Sequence, residues 1–64
     1  MEPHQQRVVG ELAELSDKIS KLDEFIKTSP IFTGLDGQQQ GLLKAQLGAM
    51  QAYGEILSLR ISAF

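Results

Sequence analysis

Two apolar stripes of similar length, one in each half of the chain, most constrain the fold. The stripes comprise Val8, Leu12, Leu15, Ile19, Leu22 and Ile26 in the first half, and Leu43, Leu47, Met50, Leu57, Ile61 and Phe64 in the second. Steps of three, four and seven residues place each stripe on one face of an α-helix. Pro30 and Gly34 interrupt the pattern between them. The sequence therefore predicts helices over 3–28 and 37–62, joined by a connector over 29–36.

Two helices of equal length with a short connector predict an all-α fold, an antiparallel hairpin in a single domain over 1–64. A chain this short buries only about 60% of its unfolded surface and needs further support. The sequence has no cysteine and one histidine, so disulfides are excluded and we expect no metal site or cofactor. We therefore expect the hairpin to self-associate into a helical bundle, as a dimer or a higher oligomer.

A row of small residues follows the second helix beside its apolar stripe. Glycine in a helix interior costs about 1 kcal/mol relative to alanine, so repeated glycines need a reason. Small residues at heptad spacing let another helix approach closely, and the apolar stripe already supplies the seam inside the hairpin. The alternative is a neutral exposed face without a partner. The candidate oligomer interface consists of Gly41, Ala45, Gly48, Ala49 and Ala52.

Charge and composition exclude several classes of protein. The net charge of -2 and the pI of about 5.1 argue against a DNA- or RNA-binding protein. No apolar run is long enough to span a membrane and no signal-peptide pattern is present, so we expect a soluble, intracellular protein. His4 is the only histidine, so a serine–histidine catalytic pair has no other candidate for its general base. The sequence also lacks a phosphate-binding glycine loop. We therefore expect no enzymatic activity.

A set of polar residues near the apolar stripes is the candidate ligand site. Arginine offers a planar fork that suits phosphate, and tyrosine offers a ring on which a base can stack. The alternative is a set of contacts between the helices that fixes their register. In that case Arg7 would pair with Glu11 or Glu55, and Lys18 with Gln46. The candidate ligand-binding residues are Arg7, Lys18, Gln46, Tyr53 and Arg60.

Several segments, among them QQRVVGELAEL, KLDEFI, IFTGL and LLKAQLGAM, carry a resemblance to a known family. The chain resembles very small helical proteins of tailed phages, described as related to a small protein of crAss-like phages. The similarity covers nearly the whole chain. It implies a phage accessory protein that works in the host cytoplasm against antiviral defence. The polar residues that fit the family pattern are Arg7, Glu11, Lys18, Gln46, Tyr53 and Arg60.

Two functions are compatible with these features. The first is a non-enzymatic binder or inhibitor that docks on a host defence protein, or another protein, through an apolar helix face. The alternative is an oligomeric sponge that sequesters a cyclic nucleotide or related nucleotide immune signal. A structural role in the virion is a third option, for which the sequence offers no specific feature.

Overall fold

Three helices make up nearly the whole chain, and the computed structural model describes residues 1–64. Helix α1 spans Pro3–Thr28, α2 spans Pro30–Thr33 and α3 spans Gly37–Ser62. The bounds of α1 and α3 coincide with the helices that the sequence predicts. The connector differs from the prediction, because it contains the short helix α2.

The connector is helical because Ser29 and Pro30 together form a helix start. The Ser29 hydroxyl accepts a hydrogen bond from the backbone N–H of Ile31 at 3.2 Å, and Pro30 occupies the first turn. Pro30 was predicted only to interrupt the helical pattern, and not to begin a helix of its own. Phe32 of α2 is buried and meets the ring of Phe25 edge-on, with 6.1 Å between centroids. Of the apolar residues of α2, Phe32 therefore closes the end of the core, whereas Ile31 stays exposed.

Two side chains fix the start of α3 against the connector. Asp36 is the N-cap, and its Oδ1 accepts a hydrogen bond from the Gln39 backbone N–H at 2.8 Å. The side-chain amide of Gln40 donates to backbone carbonyls at the end of α2 and just after it. The acceptors are the carbonyl oxygens of Phe32 at 3.0 Å, Thr33 at 3.3 Å and Leu35 at 3.0 Å. The turn is therefore held by side chains of the helix that follows it.

The seam between α1 and α3 holds most of the small core. Val8 of α1 and Leu57 of α3 are buried, and Leu57 is fully enclosed. Gly54 is also buried, and a Cβ at this position would lie 3.5 Å from Ile19 Cδ1 and 3.7 Å from Leu15 Cδ2. The absent side chain at Gly54 therefore lets α1 lie close against α3.

The hairpin is a rod whose surface contains nearly all of its residues. Its extents are 46 × 15 × 13 Å, and only four of its 64 residues are buried. Helix α1 carries two ion pairs, Asp17–Lys21 at 3.0 Å and Asp23–Lys27 at 2.9 Å, each between residues about one helical turn apart. None of the helices combines the length and the apolar character that crossing a membrane requires.

Candidate functional site

A hydrogen bond between the two long helices anchors the candidate site. The hydroxyl of Tyr53 on α3 donates to Oε2 of Glu11 on α1. The bond fixes the Tyr53 side chain across the seam.

Beside this hydrogen bond lies an open cavity of about 270 Å³. Ligand pockets for drug-sized molecules usually occupy about 300–1,000 Å³, so the cavity of one chain lies just below that range. Tyr53 is 41% exposed, which leaves part of its ring available to a ligand. The residues that line the cavity are Glu11, Glu14, Leu15, Lys18 and Tyr53.

Two carboxylates and one ammonium group set the charge of the cavity. The hydrogen bond to Glu11 raises the pKa of Tyr53 above its ordinary value of 10.0, helped by partial desolvation and by the charge of the Glu11 carboxylate. The positive charge of Arg60 opposes this shift of the Tyr53 pKa. No group of three or more His, Cys, Asp or Glu side chains lies in an arrangement that could hold a metal ion.

The structure brings together two of the five residues predicted to bind a ligand. Lys18 and Tyr53 line the same cavity. Arg60 acts on Tyr53 through its charge but does not line the cavity. The side-chain amide of Gln46 lies 3.7 Å from the sulfur of Met50, its own neighbour one turn along α3. Gln46 therefore belongs to the surface of α3 and not to the cavity.

Arg7, the fifth predicted residue, lies outside the cavity on the exposed surface. The alternative prediction, in which Arg7 pairs with Glu11 or Glu55, is wrong, since the two ion pairs of the chain include none of these three residues. Glu11 accepts the hydrogen bond from Tyr53 instead. The predicted contact between Lys18 and Gln46 is also absent from the hydrogen bonds.

Glu11 and Glu14 are not among the residues predicted to bind a ligand, although both line the cavity. Their positions relative to Lys18 are seven and four residues earlier in α1, which places all three on one side of the helix. This spacing could have identified them. The lining is therefore more acidic than the predicted cationic set suggested.

The side of α3 that faces away from α1 is the second notable surface. We call it the outer face of α3. Its charged residues lie only along its borders, with Lys44 and Glu55 on one side and Arg60, five turns after Leu42, on the other. Its three large residues are well exposed: Leu42 by 57%, Ile56 by 53% and Leu59 by 66%. The five residues predicted as an oligomer interface all lie on it and are exposed; that they contact another copy stays a prediction. The outer face comprises Gly41, Leu42, Ala45, Gly48, Ala49, Ala52, Ile56 and Leu59.

The glycines of the outer face are not required by packing within the chain. A Cβ at Gly41 or Gly48 would meet nothing within 4 Å, whereas a Cβ at Gly54 would make van der Waals contact with side chains of α1. The internal seam therefore accounts for Gly54, while Gly41 and Gly48 border open space.

Comparison with protein families identifies the chain. A family model described as Sequestin matches residues 2–63. The chain belongs to the Sequestin family. The match spans α1, α2 and α3, so the cavity and the outer face both lie within the Sequestin region. Comparison with curated proteins and with solved structures gives no match. Sequestin is thus the family shown, and the predicted origin from a tailed phage stays a prediction.

Proposed function

We propose that this chain is a non-enzymatic binder that sequesters a small nucleotide. The observation that carries the proposal is the cavity in which the Lys18 ammonium group and the exposed ring of Tyr53 lie together. The name of the Sequestin family supports a protein that acts by holding another molecule. A sequestering protein needs a binding surface and no reacting groups, which suits the composition of this cavity.

The chemistry of the lining favours a nucleotide over a simple anion. Lys18 would bind a phosphate group, and the ring of Tyr53 would stack against a base. Glu11 and Glu14 accept hydrogen bonds, so they suit the amino groups of a base or the hydroxyls of a ribose. The same two carboxylates repel an ion that carries only negative charge. The preferred ligand therefore combines an anionic group with hydrogen-bond donors.

The proposed biological role is to lower the concentration of a nucleotide immune signal in the host cytoplasm. The resemblance to small tailed-phage proteins supports this setting. Because such a protein acts stoichiometrically, it has to reach a concentration comparable with that of its ligand. Self-association would place several cavities in one particle and enlarge each site beyond the volume that one chain offers.

Calorimetric titration with a panel of cyclic dinucleotides, cyclic trinucleotides and ADP-ribose derivatives tests the proposal, with inorganic phosphate as a control ligand. We expect at least one nucleotide to bind and phosphate alone not to bind. Lys18→Gln should weaken nucleotide binding by about tenfold, or about 1.4 kcal/mol. Lys21→Gln is the matched control, because Lys21 pairs with Asp17 and does not line the cavity. This variant should bind the nucleotide with the affinity of the original chain.

Recovery of the ligand distinguishes binding from chemistry. After heat denaturation of the complex, chromatography should return the nucleotide unchanged and in the amount bound. If no nucleotide of the panel gives a heat of binding, the proposed ligand class is refuted. A converted nucleotide would refute the non-enzymatic role.

A host defence protein is the second candidate partner, and the outer face of α3 favours it. A largely apolar face with three exposed large residues is the kind of surface on which another helix docks. Leu59→Gln should release such a partner in a pull-down from host cells, whereas Lys18→Gln should not. The opposite pattern would assign the partner to the cavity.

A further inference from the structure

The outer face of α3 is graded in size along the helix. Its amino-terminal half carries Gly41, Gly48 and one large residue, Leu42, and its carboxyl-terminal half carries the large residues Ile56 and Leu59. A surface of this kind fits an identical surface that runs in the opposite direction, because the bulkier half of each copy then meets the glycine-bearing half of the other. It fits poorly against a copy that runs in the same direction.

Two charges on one border of the outer face show the same self-complementarity. Lys44 and Glu55 are eleven residues apart, close to three helical turns, so they lie on the same border of α3. Both are exposed, and neither takes part in the two ion pairs of the chain. Within one chain they are about 16 Å apart along the helix and cannot pair. Lys44 has only a distant cation–π contact, with Nζ 6.0 Å from the centroid of the Phe32 ring.

We propose that the outer face of α3 binds the same face of a second copy of this chain, antiparallel and with two-fold symmetry. In an antiparallel pair of helices, the same border of each helix meets across the contact. With the two-fold axis between residues 49 and 50, Lys44 of each copy lies level with Glu55 of the other. Two ion pairs therefore close one border of the contact, which is an isologous interface.

The same register matches the apolar residues. Leu59 of one copy lies opposite Gly41 of the other, and Leu42 lies beside Ile56. Gly48, on the other side of the axis from Ile56 and Leu59, lets the helix backbones approach closely near the centre. A parallel arrangement would instead bring opposite borders of the two helices together, so that Lys44 and Glu55 could not pair, and would set Leu59 against Leu59 while leaving a gap at the glycines.

The arrangement stands whether or not the proposed ligand is correct, because the outer face of α3 and the cavity use different residues.

Charge reversal tests the register in solution. The original chain should sediment as a multiple of 7.0 kDa that contains at least two copies. Lys44→Glu and Glu55→Lys should each weaken association at least tenfold, because two-fold symmetry creates two repulsive contacts. An equimolar mixture of the two variants should associate as tightly as the original chain, since both contacts are then attractive. Glu24→Lys is the control with the same change of charge as Glu55→Lys on an exposed position of α1, and it should associate normally.

Chemical cross-linking tests the direction of the helices, and the absence of native cysteine keeps the experiment simple. Two copies of residue 49 should be nearly level, whereas two copies of residue 59 should be about 28 Å apart along the helices. A short bifunctional maleimide should therefore cross-link Ala49→Cys into dimers and leave Leu59→Cys single. A single-chain mass for the folded original protein, no recovery in the charge-reversal mixture, or equal cross-linking of both cysteine variants would each overturn the proposal.

Discussion

At the scale of single residues, the Tyr53 hydroxyl has the best-defined role. It donates a hydrogen bond to Glu11 across the seam, while the ring of Tyr53 lines the cavity. The bond therefore holds the orientation of the ring that we propose to stack on a base. A residue that was predicted as part of a ligand site thus also joins the two long helices.

Titration of Tyr53 measures this contact directly, because it is the only tyrosine in the chain. Its pKa is raised above 10.0, chiefly by the hydrogen bond to Glu11. The contribution of the bond to folding is thus fully present below pH 10.0 and is lost as pH rises through the higher pKa of the folded state. Ultraviolet absorbance of the tyrosinate should show Glu11→Gln moving this pKa down towards its ordinary value.

Glu14→Gln is the matched control for that titration. Glu14 lines the same cavity but does not bond the Tyr53 hydroxyl. Its replacement should leave the Tyr53 pKa much closer to that of the original chain than Glu11→Gln does. Equal shifts in the two variants would show that general negative charge, and not the hydrogen bond, controls the pKa of Tyr53.

At the scale of the elements, the connector is more ordered than a loop of its length needs to be. Ser29 caps α2, Asp36 caps α3, and Gln40 donates to carbonyl groups at the end of α2 and beyond it. The carbonyl groups at the end of a helix lack partners within it, and Gln40 supplies them. The turn between the rods is therefore a structured cap over the end of the core, with Phe32 beneath it.

Removing the cap of α3 should lower stability by about 1 kcal/mol. Asp36→Ala deletes the oxygen that accepts the 2.8 Å hydrogen bond from the Gln39 backbone N–H. Asp36→Asn keeps an oxygen acceptor and should retain most of that stability. Urea unfolding followed by circular dichroism at fixed protein concentration measures both. A stability loss as large for Asn as for Ala would mean that the carboxylate charge, and not the capping bond, matters.

The elements also show what the sequence could predict. Heptad spacing and the interruption of the pattern by Pro30 and Gly34 were enough for the bounds of α1 and α3, because both signals are local. Helix α2 was missed because proline ends one helix and begins another with the same restricted φ. The partner of Glu11 was missed because an acidic side chain at a helix border has several candidates within reach. Only the relative rotation of the two helices decides among them.

At the scale of the whole molecule, the approach of the two rods depends on one position. Gly54 faces Leu15 and Ile19 across the seam, near the fully enclosed Leu57. A methyl group at Gly54 would make ordinary contacts at 3.5 Å and beyond, so the further atoms of a larger side chain would have to displace Leu15 and Ile19. The distance between α1 and α3 is therefore limited by side-chain size at this point of α3.

Gly54→Leu should destabilise the hairpin by about 1–3 kcal/mol through overpacking. Gly10→Leu is the matched control, since a Cβ at Gly10 meets nothing within 4 Å and leucine favours the helix. Thermal unfolding at one protein concentration should show a lower midpoint for the first variant and an equal or higher midpoint for the second. An unchanged midpoint for Gly54→Leu would mean that the rods can separate there without loss.

With only four residues out of solvent, this rod has almost no interior to insulate from its surroundings. The side chains that stabilise the fold and those that a ligand or partner would contact are therefore largely the same. Selection for a new target would therefore disturb folding, and selection for a sturdier fold would disturb recognition. Variants of such a chain have to be compared first by the fraction of molecules that is folded, and only then by their affinity for a ligand or partner.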